Sequence, residues 1–521
     1  MTRLDDHALA GQLICIALRD YHGDPAQRAA FLDDLAAHGW GGVIVFGGTL
    51  SAVQALLAEA QARSPIPLLV TGDFERGFGQ QFPDGGTVFP PLMALGAAGD
   101  PALARAVGRA TARELAAHGF HVNFTPVADL AQEPANPIVA TRSAGDHPAQ
   151  VAGIVAATVD GHQAAGIAAC VKHFPGHGRT TLDSHATLPI VDATAEELAA
   201  SDWIPFRAGL AAGARIVMSA HVVFPRLEPD GARDRPATFS RALGTDLLRG
   251  DWGFEGLLCS DALMMGALAG SAPEAAAIRA LEAGVDWLLY PPDPPRVHAG
   301  LVAALASGAV SRERCEQAAE RLRALKAWCG VDRTVSGGAG ASLSHVSAAP
   351  LAEAVASAAL TAAPPEPPPG SAWPDRAQWV AILDGAITPA ELVLPRELGP
   401  DAAETFLIID TTADEATVRK GIKQARRRSA NAWVACAVFS PVRAAQGRSG
   451  LSALGREAVA AACDDAREAV LLVFSNPRIV LELTPPSRIV WTYGEDAACQ
   501  RAALAFLRGA RPAVGRLPVR L

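Results

Sequence analysis

The chain has 521 residues, which is more than a single hydrophobic core usually serves, so the length predicts two domains. Half of the residues are apolar and 19% are charged, a balance that is typical of a globular protein and excludes long disorder. The formal net charge of −9 favours neither nucleic acid nor an anionic membrane as a partner, so small-molecule chemistry is expected.

The amino-terminal residues 1–18 contain an apolar run that is too short for a signal peptide. No stretch of the sequence approaches the roughly 18 apolar residues of a membrane span. The eight cysteines are scattered, mostly among apolar neighbours and without a CxxC pair, which predicts reduced core residues. We therefore expect a cytoplasmic protein that does not bind a membrane.

Short β-branched runs alternate with Ala/Leu-rich helical stretches throughout the first 330 residues. The predicted strands are QLICIAL, GGVIVFG, PLLVTGD, HVNFTPVAD, AACVKHF, RIVMSAHVVF, GLLCSDAL and DWLLYP. This alternation predicts an α/β fold with an N-terminal (β/α)₈ barrel of the TIM type. A doubly wound sheet is the alternative, but no GxGxxG follows the first strand.

Candidate chemical groups follow several of these strands. Asp73 follows PLLVTG, Lys172 and His173 follow AACV, and Asp261 follows GLLCS. Because the carboxyl ends of all the strands meet at one end of a barrel, we expect these side chains to converge there. A single aspartate after a strand is more often a helix cap, but several such residues together favour a site.

The segment KHFPGHGRTTLDSH, residues 172–185, places three histidines in a glycine-rich loop. A zinc site is disfavoured because Pro175 prevents the helix that an HxxxH pair normally needs, and the segment matches no phosphate-binding P-loop. A third interpretation is a catalytic pair in which the Asp183 carboxylate orients the His185 ring and favours its protonated form. Alternatively, Asp183 caps a turn and His185 is a surface residue.

The composition loosens near Gly337 and leads into the proline-rich spacer AAPPEPPPGSAWP. We predict a barrel domain over residues 1–335, a linker with a short helix over 336–375, and a smaller three-layer α/β sandwich domain over 376–521. The strands predicted for the last domain are WVAILDG, TFLIIDT, AWVACAVFS, AVLLVFSNP and RIVWTYG. The basic run RKGIKQARRR at residues 419–428 is interpreted as a solvated helix surface rather than an anion-binding face.

The segment KHFPGHG followed by DSH resembles the signature of the bacterial β-N-acetylglucosaminidases of glycoside hydrolase family 3, enzymes associated with peptidoglycan recycling. Further matching segments are DFERG, NPIVATRS, MSAHVVFP, SDALMM, VFSNP, TYG and GRLPVRL. The resemblance implies a retaining exo-β-N-acetylglucosaminidase that releases the non-reducing terminal sugar from small carbohydrate substrates, including muropeptides.

The resemblance also assigns roles to residues. It implies that Asp261 is the nucleophile of a covalent glycosyl intermediate, that His185 is the acid/base and that Asp183 is the partner of His185. The residues implied in sugar binding are Asp73, Arg142, Lys172 and His173. Gln81 stands where the family carries an arginine and supplies a neutral hydrogen bond instead. No metal and no organic cofactor is implied.

Two alternatives remain open. One is a family 3 β-glucosidase or β-xylosidase, which the resemblance describes as using a carboxylic acid/base from elsewhere. The other is a sugar-binding protein with weakened activity, suggested by the departure of DFERGFGQQ from the family pattern E-G-G-R-V-Q-R.

Two further expectations concern the acid/base histidine. Because imidazole does not repel an attacking anion, a histidine acid/base predicts a phosphorolysis side activity. Its glycine-rich setting predicts a loop that moves onto bound sugar and holds His185 away from Asp261 at rest.

Overall fold

The computed structural model describes residues 3–18, 24–331, 348–367, 377–385, 387–400, 406–442 and 449–521. The chain divides into two compact units. Unit 1 comprises Met1–Thr87, Ala104–Asp129 and Val155–Ser347, and unit 2 comprises Val88–Leu103, Leu130–Ile154 and Ala348–Leu521. Residues 336–347 and 368–375 of the predicted linker lie outside the described residues, and the predicted domain boundaries stay predictions.

Unit 1 contains an eight-stranded parallel barrel. Its strands are β1 Ile14–Leu18, β2 Gly42–Val45, β3 Leu69–Gly72, β4 Val122–Asn123, β5 Ala168–Phe174, β6 Ile216–Ser219, β7 Leu257–Ser260 and β8 Leu288–Leu289. They lie in the order β7-β6-β5-β4-β3-β2-β1-β8. A parallel bridge between Cys259 and Trp287 brings β7 next to β8, so the sheet closes on itself. The predicted (β/α)₈ barrel is confirmed.

Helices follow the barrel strands along the chain, as the alternating pattern predicts. The α-helices with residues in unit 1 are Asp6–Gln12, Pro25–His38, Leu50–Arg63, Pro101–Ala117, Pro148–Gln163, Ala195–Ala199, Trp203–Ala211, Pro273–Ala283, Pro294–Ser307 and Arg312–Trp328, and a π-helix spans Ala242–Asp251. Many begin with a side-chain cap; the Asp24 carboxylate, for example, accepts the Ala26 N–H. The helices Pro101–Ala117 and Pro148–Gln163 contain residues of both units.

The barrel interior is filled by every second residue of the strands, because successive side chains of a strand point to opposite faces. The buried residues that form this core include Cys15, Ile44, Leu69, Val122, Phe124, Ala168, Cys170, Ile216, Met218, Leu257, Cys259, Trp287 and Leu289. The eight cysteines of the chain are free, and six of them are buried. This apolar core holds the strands in register and thereby fixes where their carboxyl ends lie.

The buried Asp286, which precedes β8, holds the amino end of β7. Its carboxylate accepts the Leu258 N–H at 2.9 Å and pairs with the guanidinium groups of Arg249, Arg314 and Arg321. Removal of the Asp286 carboxylate would destabilise the fold, because three partly buried guanidinium groups would lose their negatively charged partner. Strand β7, which ends next to Asp261, is thus fixed at its amino end.

Unit 2 contains a six-stranded sheet. Its strands are β9 Thr361–Ala363, β10 Gln378–Leu383, β11 Leu407–Asp410, β12 Trp433–Ser440, β13 Glu468–Ser475 and β14 Arg488–Trp491, in the order β11-β10-β12-β13-β14-β9. The five strands β10–β14 pair in parallel and correspond to the five predicted strands, whereas β9 pairs antiparallel with β14. The predicted α/β class of the smaller domain is confirmed.

The helices of unit 2 include segments distant in sequence. They are Leu92–Ala98, Ala349–Ala359, Leu394–Leu398, Glu415–Ser429, Ala453–Cys463 and Ala497–Leu507. The helix Leu92–Ala98 packs against Ala349–Ala359, which lies within the predicted linker. Among the described residues, none of the helices combines the length and hydropathy needed to cross a membrane.

Candidate active site

The side chains predicted to converge lie at the carboxyl ends of the barrel strands. Asp73 follows β3, Lys172 and His173 lie at the end of β5, and Asp261 follows β7. Lys172 contacts Asp73 directly, and the charge of His173 acts on Asp261. The barrel therefore brings together residues that are far apart in sequence.

Asp261 carries a strongly acidic carboxyl group. Its Oδ1 accepts the Ala262 N–H at 2.8 Å, and its own N–H donates to the Ser219 carbonyl at 3.2 Å. Burial opposes ionisation, but the nearby charges of His173 and His221 and the Ala262 N–H outweigh it and lower the pKa of Asp261 to about 2. The group is thus a carboxylate at neutral pH, as a nucleophile must be.

The buried Asp129, at the end of the strand region predicted as HVNFTPVAD, organises the start of the loop. Its Oδ2 lies 2.7 Å from His173 Nδ1 and accepts the His173 N–H at 3.1 Å, while Oδ1 accepts the His177 N–H at 2.6 Å. Burial raises the pKa of Asp129, but the two histidines outweigh this effect and leave it lowered. An ionised Asp129 fixes the orientation of the His173 ring.

Lys172 is buried between two carboxylates. Its Nζ lies 2.7 Å from both Asp73 Oδ1 and Glu75 Oε1. The three side chains offer charged donors and acceptors side by side, an arrangement that suits the hydroxyl groups of a sugar ring. Glu75 was not among the predicted site residues, although it lies within the quoted DFERG segment.

Asp183 and His185 form the predicted pair. His185 Nδ1 lies 2.7 Å from Asp183 Oδ1, which also accepts the His185 N–H at 2.9 Å. The Asp183 side chain is 3% exposed, whereas that of His185 is 33% exposed, so the ring is accessible while its partner is not. With Nδ1 held by the carboxylate, Nε2 is the nitrogen that can exchange a proton with a ligand.

The histidine loop, residues 172–185, rests against the loop that carries Asp261. The Gly266 N–H donates to the His185 carbonyl at 3.0 Å, and the Ala267 N–H donates to the Ser184 carbonyl at 3.2 Å. These backbone hydrogen bonds hold the two loops together and could not be read from the sequence. Our expectation that the loop moves onto bound sugar and holds the His185 side chain away from Asp261 at rest stays a prediction.

The side chains of His177 and Arg179 hold the histidine loop in shape. The buried His177 ring links Thr180 Oγ1 at 2.8 Å to Ser184 Oγ at 2.9 Å, and burial lowers the pKa of His177 to about 4, which keeps the ring neutral. Arg179 Nε lies 2.9 Å from Oδ2 of the buried Asp202, and Arg179 Nη2 donates to Ser201 Oγ at 3.0 Å. These contacts tie the loop to itself and to the start of the helix Trp203–Ala211.

His221 is a residue near Asp261 that was not among the predicted site residues, although it belongs to the quoted MSAHVVFP segment. Its Nδ1 lies 2.8 Å from Thr238 Oγ1, and its Nε2 lies 3.1 Å from the Ala262 carbonyl. Burial lowers the pKa of His221 although the charge of Asp261 opposes this. The ring therefore supports the segment that carries the carboxylate.

The two remaining predicted residues lie in different surroundings. Gln81 Nε2 donates to the Asp73 backbone carbonyl at 3.1 Å, so this side chain supports the Asp73 segment. Arg142 belongs to unit 2, where its Nη1 donates to the Ile138 carbonyl at 3.2 Å. Its predicted contact with sugar stays a prediction.

In the part of the chain that the structure describes, no group of three or more His, Cys, Asp or Glu is arranged to hold a metal ion.

Comparison with known protein families assigns the barrel region. Residues 9–325 match the model of the glycosyl hydrolase family 3 N terminal domain. The chain is 39% identical over 258 residues to a beta-hexosaminidase of Stenotrophomonas maltophilia, which is 48% of this chain and 75% of that protein. It is 32% identical over 367 residues to a beta-N-acetylglucosaminidase/beta-glucosidase of Cellulomonas fimi, which is 68% of this chain and 64% of that protein.

A solved structure extends the similarity to the whole chain. A glycoside hydrolase family 3 beta-N-acetylglucosaminidase of a Paenibacillus species aligns with a TM-score of 0.86 and 28% sequence identity. The alignment covers 100% of this chain and 99% of that one, so both units have counterparts there.

Proposed function

The chain belongs to glycosyl hydrolase family 3, and from this premise we propose that it is a retaining exo-β-N-acetylglucosaminidase. One observation carries the proposal: an ionised Asp261 and the Asp183–His185 pair lie at the same end of the barrel. The histidine loop, which holds the pair, is hydrogen-bonded to the loop that follows Asp261. A carboxylate nucleophile and a separate proton donor are the two groups that retaining hydrolysis needs.

In the first step, an Oδ atom of Asp261 attacks the anomeric carbon and the bond to the leaving oxygen breaks. His185 Nε2 gives its proton to that oxygen, so the leaving group departs as a neutral alcohol. The Asp183 carboxylate stabilises the imidazolium before transfer, because it lies 2.7 Å from Nδ1. The products of this step are the alcohol and a glycosyl ester of Asp261.

In the second step, neutral His185 removes a proton from water, and the water oxygen attacks the anomeric carbon. The bond to Asp261 breaks and the carboxylate is regenerated, which is favourable because the pKa of Asp261 is lowered to about 2. Two inversions at the same carbon retain the configuration. The sugar meanwhile is held by Lys172 and the two carboxylates that flank it.

The identity of the sugar is supported by the relatives, which include a beta-hexosaminidase and a beta-N-acetylglucosaminidase. A β-glucosidase activity is the second candidate, because the Cellulomonas fimi relative is named for both activities. Peptidoglycan fragments as the natural substrates and a cytoplasmic location stay predictions.

A comparison of 4-nitrophenyl β-N-acetylglucosaminide with the matching β-glucoside tests the proposal. We expect the N-acetylglucosaminide to have the higher kcat/KM, and Asp261→Asn to lower turnover by about a thousandfold or more. Asp246→Asn, at an exposed carboxylate outside the site, is the matched control and should leave turnover unchanged. Near-normal turnover of Asp261→Asn would remove the nucleophile assignment.

We also propose phosphorolysis as a side activity, because the acid/base is an imidazole and not a second carboxylate. A phosphate oxygen would attack the anomeric carbon of the glycosyl ester, the bond to Asp261 would break, and N-acetylglucosamine 1-phosphate would form with retained configuration. Phosphorus NMR of a reaction in millimolar phosphate should show this product. Release of free sugar alone at every phosphate concentration would rule the side activity out.

A further inference from the structure

A cavity lies at the amino-terminal end of the barrel, opposite the candidate active site. It has a volume of about 880 Å³ and is lined by residues of the helices Trp203–Ala211 and Arg312–Trp328 and of the segments that precede β6 and β7. This volume is in the range of small-molecule binding sites. Because a barrel places its catalytic groups at the carboxyl ends of its strands, the proposed reaction does not use this cavity.

Two arginine side chains line the cavity, and each is held by a neighbour. The Arg215 guanidinium lies over the Trp328 ring, with 4.4 Å between Cζ and the ring centroid. Arg321 Nη1 lies 3.1 Å from Oδ1 of the buried Asp286, a carboxylate that is shared with the two arginines described above. Neither contact occupies all five N–H donors of a guanidinium group, so both arginines keep donors for a ligand carboxylate.

Carboxylates line the same cavity. Asp251 and Glu255 are exposed, and neither side chain makes an ion pair or a hydrogen bond with any residue that the structure describes. Glu320, a third carboxylate, is held outside the cavity lining by Arg323, whose Nε lies 2.9 Å from Glu320 Oε2. Arg215 likewise has no carboxylate within ion-pair distance among the described residues. Unpaired charges of both signs therefore line one cavity.

The lining also contains apolar side chains. Leu210, Leu257 and Leu325 all contribute to it, and the last two are buried. An alkyl group that covers these side chains loses its contact with water, which favours binding in proportion to the apolar area that is buried. The cavity thus offers positive, negative and apolar surface to a single ligand.

We propose that this cavity binds a short peptide with small apolar side chains, whose carboxylate contacts Arg215 and Arg321 and whose ammonium group contacts Asp251 and Glu255. A simple anion would be repelled by the two unpaired carboxylates, and a simple cation would be repelled by the arginines. A zwitterion instead meets each charge with the opposite sign. This binding site is separate from the proposed glycosidase activity and does not depend on it.

Calorimetric titration of the full chain with trialanine tests the proposal. We expect trialanine to bind, and we expect two capped forms to bind about fivefold more weakly: N-acetyl-trialanine, which lacks the ammonium group, and trialanine amide, which lacks the carboxylate. Triglycine should also bind more weakly than trialanine, because it lacks the methyl groups that the leucine side chains would cover.

Two variants assign the charges of the peptide to the two sides of the cavity. Arg215→Gln should reduce the preference for trialanine over its amide to within about twofold and leave the preference over N-acetyl-trialanine unchanged. Glu255→Gln should have the converse effect, because it removes a partner of the ammonium group. Arg241→Gln, at an exposed arginine that does not line the cavity, is the matched control and should keep both preferences.

Equal affinity of the unaltered chain for trialanine and for either capped form would overturn the inference. Preferences that Arg215→Gln and Glu255→Gln leave unchanged would also overturn it, as would absence of binding at about 10 mM trialanine. Each of these outcomes leaves the hydrolysis of β-N-acetylglucosaminides untouched, so failure of the inference and failure of the proposed function are distinguishable.

Discussion

At the scale of single residues, the charge of Asp261 depends on its neighbours. Burial alone would favour the neutral carboxyl group, but His173 and His221 reverse the balance. His173 is in turn held at Nδ1 by the buried Asp129. The buried Asp129 therefore fixes the ring of a histidine whose charge acts on Asp261.

Asp129→Asn tests this influence. The amide keeps the size of the side chain but removes the charge that holds the His173 ring at Nδ1 and the His177 N–H. We expect kcat/KM at neutral pH to fall by about tenfold, because a misplaced His173 ring no longer supports Asp261. Unchanged kcat/KM would contradict the positioning role of Asp129.

His185→Ala tests the proton transfer. The variant should lose about a thousandfold in kcat/KM with alkyl leaving groups, which depart only when they are protonated, and much less with 4-nitrophenolate. Measurement of kcat/KM over a series of leaving groups of increasing acidity would display this difference as a steeper dependence in the variant. Equal losses across the series would contradict the acid role.

At the scale of elements, the histidine loop is positioned by side-chain contacts that cross between segments. Arg179 joins the loop to Asp202, which immediately precedes the helix Trp203–Ala211. The loop also rests on the segment after β7 through Gly266 and Ala267. Because the Asp202 side chain is buried, its contact with Arg179 is screened little by solvent and restrains the loop more than a surface pair would.

Arg179→Ala should loosen the loop and misplace His185. We expect kcat to fall by about tenfold with alkyl leaving groups and to change little with 4-nitrophenolate, because only the former need the proton. Arg179→Lys should retain more activity than Arg179→Ala, because lysine keeps the positive charge. It should not reach the activity of the unaltered enzyme, because it lacks the planar guanidinium group that contacts both Asp202 and Ser201. Arg207→Ala, on the neighbouring helix, is the matched control; equal losses for both types of leaving group would contradict a positioning role.

At the scale of the whole molecule, several buried histidines make the barrel sensitive to acid. Burial lowers the pKa values of His121 and His162 to about 4. Their hydrogen bonds also require neutral rings, because His121 Nδ1 accepts the Val70 N–H and His162 Nε2 accepts from Asn123 Nδ2. Protonation would remove these acceptors as well as bury a charge.

The sign of the effect follows from the lowered pKa values. Between about pH 6.5 and 4 the unfolded chain binds protons at these histidines and the folded barrel does not, so stability is present above pH 6.5 and is lost as the pH falls through this range. The fully buried His162 can contribute about 3 kcal/mol to this loss. Denaturant midpoints measured at pH 7, 5.5 and 4.5 should fall in that order.

His162→Gln provides the comparison for this prediction. Glutamine does not titrate, so the variant should show a smaller fall in midpoint between pH 7 and 4.5 than the unaltered protein, even where its midpoint at pH 7 is lower. His147→Gln, at an exposed histidine, is the matched control and should follow the unaltered protein. A midpoint that does not change between pH 7 and 4.5 would contradict the linkage.

Features that depend on local order follow from neighbouring residues and could be predicted from the sequence. The β-branched runs and the helical stretches between them define the eight barrel strands and the five parallel strands of unit 2, since strand and helix periods are properties of neighbouring residues. The Asp183–His185 contact spans only two residues and was likewise predictable. A family signature concentrated in one loop added the roles proposed for these residues.

Features that depend on distant segments could not be predicted from the sequence. The contacts of Asp129 with His173 and of Lys172 with Glu75 cross between strands, and the docking of the histidine loop on Gly266 joins two loops that lie more than 80 residues apart. The same holds for β9, which becomes a strand because β14 offers it a free edge. Such partners are chosen when the chain packs, because hydrogen bonds and ion pairs depend on distance in space and not on separation along the sequence.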